Sequence, residues 1–110
     1  MPNLKIYLEQ PLWQSHGAVL CAALPALRDL LMRELEVPEA ACQLAILPIH
    51  GLPDQPQCNV EFSFLMQSVR TPDRIREVCG VIRAHVGAII GTPTAVRAMP
   101  LDPASYTALK

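Results

Sequence analysis

Hydrophobic and polar positions alternate along this chain with two periods that succeed each other in a repeating order. From Asn3 to Gln10 the alternation is strict, with Leu4, Ile6 and Leu8 on one side and Lys5, Tyr7 and Glu9 on the other. This predicts a strand with one covered face. The period then lengthens. Val19, Leu20, Ala23, Leu24, Leu27, Leu30, Leu31 and Leu35 recur at helical spacing, with Ser15 available as a cap and Val37-Pro38 as a stop. Pro25 removes a hydrogen bond to Cys21 and predicts a kink or a late helix start. Gln43 to Ile49 reads as a buried strand, closed by the turn-rich stretch His50-Gly-Leu-Pro-Asp54.

The second half repeats the order. Val60, Phe62, Phe64 and Met66 alternate within Asn59–Gln67, predicting a third strand. Thr71-Pro72 supplies a capping side chain followed by proline at the first helical position. Ile75, Val78, Cys79, Ile82, Val86, Ile89 and Ile90 form the apolar stripe of the helix, and Gly91 is its stop. Ala95 to Met99 reads as a last strand, followed by a tail from Pro100 to Lys110. Asn3-Leu-Lys-Ile-Tyr-Leu matches the alternation of Asn59-Val-Glu-Phe-Ser-Phe, and Leu47-Pro48-Ile49 matches Met99-Pro100-Leu101. The expectation is one α+β domain over residues 1–110, with βαβ halves at roughly 1–54 and 55–110. Each half pairs two parallel strands, so four strands share a sheet with both helices on one face.

Composition sharpens the picture in one respect. Apolar residues make up 51% of the 110 residues and charged residues only 17%, against an average charged share of about 25%. A small domain has little interior for so much apolar surface, which points to burial between subunits. The net charge of −1 gives no reason to expect nucleic acid or an anionic membrane as partner. Four cysteines without a CxxC pair or a Cys/His cluster predict no metal site and no disulfide scaffold. Cys21 and Cys79 fall on apolar helical faces, where buried free thiols are common. The apolar stretch Ala18–Leu27 contains Pro25 and is followed at once by Arg28 and Asp29, so it fits neither a signal sequence nor a membrane span. The expected location is cytoplasmic.

Several anchors, taken in order, resemble the tautomerase superfamily. This group includes 4-oxalocrotonate tautomerase, 5-carboxymethyl-2-hydroxymuconate isomerase, malonate semialdehyde decarboxylase and macrophage migration inhibitory factor. The anchors are Met1-Pro2-Asn-Leu-Lys-Ile running straight into a strand, Val37-Pro38 before Gln43 to Pro48, and Ser68-Val-Arg-Thr-Pro-Asp73 between strand and helix. The resemblance implies a trimer of β-α-β-β-α-β subunits with the sheets forming an inner barrel and active sites between subunits. It implies a cofactor-independent enzyme acting on a small 2-oxo acid or enol.

Pro2 is the expected catalytic residue. Methionine aminopeptidase removes Met before a small residue, leaving a secondary amine whose pKa desolvation or a nearby cation lowers. A base poised near the working pH suits proton transfer α to a carbonyl. The competing reading is a proline that merely begins an edge strand. Arg70, at the Thr71-Pro72 helix start, is a candidate for binding a substrate carboxylate, against a solvated surface arginine. Arg97 in the last strand is a second substrate-binding candidate, serving a neighbour's site, against an ion pair with Glu61 or Glu9. Some members of the resembled family carry an arginine on the second strand that helps hold a dicarboxylate. The uncharged Gln43-Leu-Ala-Ile-Leu47 here therefore disfavours muconate-type diacids. His50 is expected on a loop surface, and His16 and His85 at polar helix positions. Trp13 and Tyr106 are expected in packing or interface roles. Two alternatives stand: a non-catalytic binding trimer of the same fold, and a ferredoxin-like domain whose sheet is antiparallel.

Overall fold

A computed structural model describes residues 2–110. Strand β1 (Asn3–Glu9) leads into helix α1 (Gln10–Leu35). A 3-10 turn (Glu39–Ala41) precedes β2 (Gln43–Ile49), and then come β3 (Cys58–Leu65), helix α2 (Pro72–Ile90) and β4 (Thr94–Leu101). The strands form one sheet in the order β2-β1-β3-β4. β1 runs parallel to β2, β3 runs parallel to β4, and the central pair β1–β3 is antiparallel. Two parallel βαβ halves therefore meet along their first strands, as the repeated pattern predicts. The parallel β1–β2 pair excludes the antiparallel ferredoxin-like alternative. No helix among the described residues is long and apolar enough to cross a membrane.

The alternation of each strand decides what is buried. Leu4, Ile6 and Leu8 of β1 are fully buried with Cys58, Val60, Phe62 and Phe64 of β3. They meet Leu20, Leu27, Leu31 and Leu35 of α1 and Val78, Ile82, Val86 and Ile90 of α2 in one continuous core. Phe62 and Phe64 stack with ring centroids 5.4 Å apart. The other parity, including Tyr7, Leu47, Ile49, Ala95 and Met99, forms a sheet face that neither helix covers.

Helix α1 begins earlier than the capping pattern predicts. β1 runs into it with no intervening loop, because Glu9 keeps an extended backbone (φ −56°, ψ 143°) and proline follows in the first turn. Ser15 is inside the helix, and its hydroxyl donates to the carbonyls of Pro11 (3.2 Å) and Leu12 (3.4 Å) instead of capping. Pro25 neither starts nor breaks the helix; it occupies the exposed side of one continuous run. Val19, expected in the apolar stripe, is 52% exposed, and Cys21 is exposed as well. Both belong to the outward side, which is unusually apolar. The start of α2 follows the expected chemistry, with the Thr71 hydroxyl accepting from the Arg74 amide at 3.2 Å. β3 stops at Leu65, leaving Met66 exposed, and β4 extends through Pro100 to Leu101.

Far from the start of β1, the buried Glu9 carboxylate latches the loop after β2. Its Oε2 accepts from the Gly51 amide at 2.9 Å. A side chain at Gly51 would collide with Glu9 Oε1, which explains the glycine.

α1 ends on Glu36 in the left-handed region (φ 53°, ψ 54°), where α2 uses Gly91. A side chain there costs roughly 1–2 kcal/mol, part of which glycine returns through its freer unfolded chain. Glu36→Gly is therefore expected to stabilise the fold by about 0.5–1 kcal/mol, read as a higher urea midpoint at unchanged m-value.

Burial pushes the Cys58 thiol up to about 11, against a smaller opposing effect of the Thr94 hydrogen bond. An unfolded thiol titrates near about 8.5, so above that pH the unfolded chain releases the proton first. The thiol's contribution to stability is complete below about 8.5 and declines as pH rises towards 11. Urea unfolding at pH 8 and pH 10 is expected to show lower stability at pH 10, with a smaller loss in Cys58→Ala.

Candidate active site

Pro2 stands one residue ahead of the paired ladder of β1. It is buried, and its carbonyl accepts from the Gln43 amide at 3.0 Å. Asn3 pairs with Gln43 on one side and Ser63 on the other, so the next step of the register sets Pro2 between Cys42 and Phe64. Its parity is that of Leu4, on the side facing the helices. α1 runs back across the sheet and ends near this point, while α2 begins near it.

On the β2 side of Pro2 lies a cavity of about 330 Å³, lined by Leu24, Pro25, Arg28, Cys42, Gln43 and Leu44. Arg28 is its cation. Its Nη2 is 3.3 Å from Glu39 Oε1, and its Nε is buried with no hydrogen-bond partner among the described residues. The Cys42 thiol is pushed up by burial and held back by the Arg28 charge. Sequence reasoning missed Arg28 as a site residue. The available signal was its position: no formal charge occurs from Gln10 to Leu27, so Arg28 is the first charge on a helix returning towards Pro2.

On the β3 side, Arg70 is buried, which overturns the solvated-surface reading. Its Nη1 donates to the Leu65 carbonyl (2.6 Å) and its Nη2 to the Leu35 carbonyl (3.3 Å). The guanidinium lies 5.9 Å from the centroid of the Phe64 ring, the residue in register with Pro2. Pro2 and Arg70 therefore occupy one end of the sheet. Two of the Arg70 nitrogens are engaged by backbone, one of them at the open carbonyl end of α1.

Arg97 is elsewhere. It faces the uncovered side of the sheet, in register with Glu61, but its Nη1 donates to Asn59 Oδ1. With Tyr7, Ile49, Asn59 and Glu61 it lines a cavity of about 270 Å³. Neither expected ion pair forms among the described residues: Glu61 is not its hydrogen-bond partner, and Glu9 holds Gly51. One subunit does not bring Arg97 to Pro2. His50 is exposed, as expected. Trp13 lies against Gly17 and packs on the core, and the Tyr106 amide closes a turn on the Asp102 carbonyl at 2.9 Å. Met1, whose removal a catalytic Pro2 requires, lies outside the described residues.

No family model matches the sequence, and a search of curated proteins found no match. Solved structures do match. A member of the cis-3-chloroacrylic acid dehalogenase family, N1, is 16% identical, with 96% of this chain and 79% of that chain aligned at a TM-score of 0.69. FG41 malonate semialdehyde decarboxylase, inhibited by 3-bromopropiolate, is also 16% identical, covering 98% and 89% at a TM-score of 0.64. A fused 4-OT, solved as an asymmetric trimer, is 14% identical, covering 96% and 91% at a TM-score of 0.69. At these identities the likeness is one of fold: this chain is similar in architecture to proteins of the tautomerase superfamily.

Proposed function

We propose that this chain is a cofactor-independent keto–enol tautomerase or isomerase of a small 2-oxo acid, with Pro2 as the general base once Met1 is removed. The observation that carries the reading is Pro2 itself, buried at a strand terminus beside a cavity that holds Arg28. Removal from water and two neighbouring arginines both disfavour a protonated secondary amine and lower its pKa. The amine then takes a proton from the carbon next to the keto group and returns it to the enolate oxygen, or runs the same exchange in reverse.

The substrate carboxylate pairs with Arg28, whose Nε is free of other bonds. Arg70 adds positive potential that steadies the enolate. In this reading it acts mainly through its charge, since its Nη1 and Nη2 donate to Leu65 and Leu35. Arg97 serves the site of a neighbouring subunit across the uncovered sheet face, in a homotrimer. The low charge content supports such an assembly, as does the trimeric state of the similarly folded fused 4-OT.

The engagement of Arg70 by backbone also favours a second reading, a non-catalytic trimer that binds a small molecule. Two measurements separate the readings. Intact mass of untagged protein is expected to fall short of the full sequence by one methionine. Pro2→Ala is expected to slow ketonisation of enol-phenylpyruvate by about a hundredfold or more with an unchanged circular dichroism spectrum. A retained Met1, or an unaffected rate, rules out the proline mechanism and leaves the binding protein.

Arg70→Lys tests the position of the cation separately. One ammonium does not span both carbonyls, so the variant is expected to lose about 1–3 kcal/mol of stability in urea titration. A surface arginine changed to lysine would alter stability by less than about 0.5 kcal/mol.

A further inference from the structure

A second cavity system runs between α2 and the β3–β4 pair, on the other side of Pro2 from the cavity that holds Arg28. Its larger part, about 450 Å³, is floored by Phe64, Ile75, Val96 and Pro100 and closed at one end by Met66 and Arg70, so it meets the candidate active site there. A smaller part of about 210 Å³ continues along α2 past Gly80 to Arg83. Arg76, Cys79 and Val96 line both, so the two form one groove. Together they match the size of ordinary small-ligand sites, roughly 300–1,000 Å³.

The charge of this groove is one-sided. Arg76 and Arg83 line the smaller cavity, and neither forms a salt bridge or a side-chain hydrogen bond among the described residues. Arg74, on the same helix, is paired with both Glu34 (2.7 Å) and Glu77 (3.1 Å). No acidic side chain lines either cavity. One end thus offers two uncommitted guanidiniums, and the other a mainly apolar trough whose one cation, Arg70, is already bonded to the Leu65 and Leu35 carbonyls. A surface with that pairing complements an anion carrying an apolar tail, because guanidinium bonds a carboxylate in a planar fork while the trough removes the tail from water.

We propose that the α2–β4 groove is a binding site for an amphipathic monocarboxylate, a medium-chain fatty acid or arylalkanoate. Its carboxylate sits between Arg76 and Arg83, and its tail runs along Ile75 and Val96 towards Pro100. The groove adjoins the candidate active site at Phe64 and Arg70, but its carboxylate end lies in the smaller cavity, which neither residue lines, so the proposal stands whether or not Pro2 is catalytic.

The cysteines provide the assay. Cys79 is half-buried in the groove, Cys42 lines the cavity beside Pro2, and Cys21 is exposed on the outer side of α1. Alkylation by N-ethylmaleimide, followed residue by residue by mass spectrometry, is measured with decanoate, with decanol and with neither. Decanoate is expected to slow labelling of Cys79 about fivefold or more while Cys21 and Cys42 keep their rates, and decanol is expected to protect far less. In R76Q/R83Q, equal protection is expected to need about tenfold more decanoate. Gly80→Leu supplies a second variant. A Cβ at Gly80 meets nothing within 4 Å and Gly80 lines the smaller cavity, so the larger side chain is expected to occupy the carboxylate end and abolish protection.

Four outcomes overturn the proposal. They are no protection of Cys79, protection undiminished in R76Q/R83Q, protection at Cys42 in place of Cys79, and protection that grows with protein concentration in the absence of acid. The third would assign the acid to the Pro2 cavity, and the fourth would assign the groove to a second copy of the chain.

Discussion

A single buried guanidinium closes the end of the sheet on which Pro2 stands. Arg70 joins the carbonyl of Leu35, the last residue of α1, to the carbonyl of Leu65, the last residue of β3. A helix leaves its final carbonyls without partners, and a cation beside them is further favoured by the helix dipole. The Phe64 ring offers its face to the same charge. Arg74 repeats the tie one turn later, donating to the Glu34 carbonyl at 2.8 Å and to its carboxylate at 2.7 Å. These contacts hold the end of α1 against the start of α2. Phe64, fixed beneath Arg70, is the side chain in register with Pro2. The surroundings of Pro2 are therefore set from the second half of the chain.

That dependence explains which parts of the molecule were legible in advance. The alternation of β1 and β3 named Leu4, Ile6, Leu8, Val60, Phe62 and Phe64 as buried, because a strand with one covered face writes its environment into every second position. It failed at the strand ends, where Met66 is exposed and Glu9 is buried. The start of α2 was legible for a similarly local reason, since Thr71 and Pro72 satisfy the first turn within a few residues. The start of α1 was not. Ser15 has the chemistry of a cap, but the chain turns from strand to helix at Glu9 without a loop, and Ser15 bonds backward inside the helix. Val19 and Cys21 were misassigned to the interior because α1 is apolar on its outward side as well, so hydrophobicity alone does not locate the stripe.

The site residues divide in the same way. The place of Pro2 in the fold was legible, as the residue directly ahead of the first alternating strand. The cationic character of Arg70 was legible too, but not its partners, since Leu35 is remote in sequence and only the packing of two helix ends brings it near. Arg28 carried no motif. It becomes a candidate only because α1 crosses the sheet and returns towards the start of β1 and β2, where it lines a cavity with Cys42 and Gln43. Arg97 shows the reverse: its strand position is unusual enough to draw notice, and the fold turns it to the face away from Pro2.

The match between Leu47-Pro48-Ile49 and Met99-Pro100-Leu101 gains physical meaning from the topology. Both triplets lie near the ends of the two edge strands, β2 and β4. Edge strands present unpaired donors that invite another strand, and proline deletes one such donor. Strand addition along either edge is thereby interrupted at Pro48 and Pro100. The uncovered face has no such interruption. There, Leu47, Ile49, Tyr7 and Met99 surround the polar row of Lys5, Glu61 and Arg97, whose register runs straight across the sheet. The repeat thus restricts edge-to-edge pairing and leaves the broad face, with Leu47, Ile49 and Met99, open to burial by a neighbour, the direction in which the low charge content already pointed.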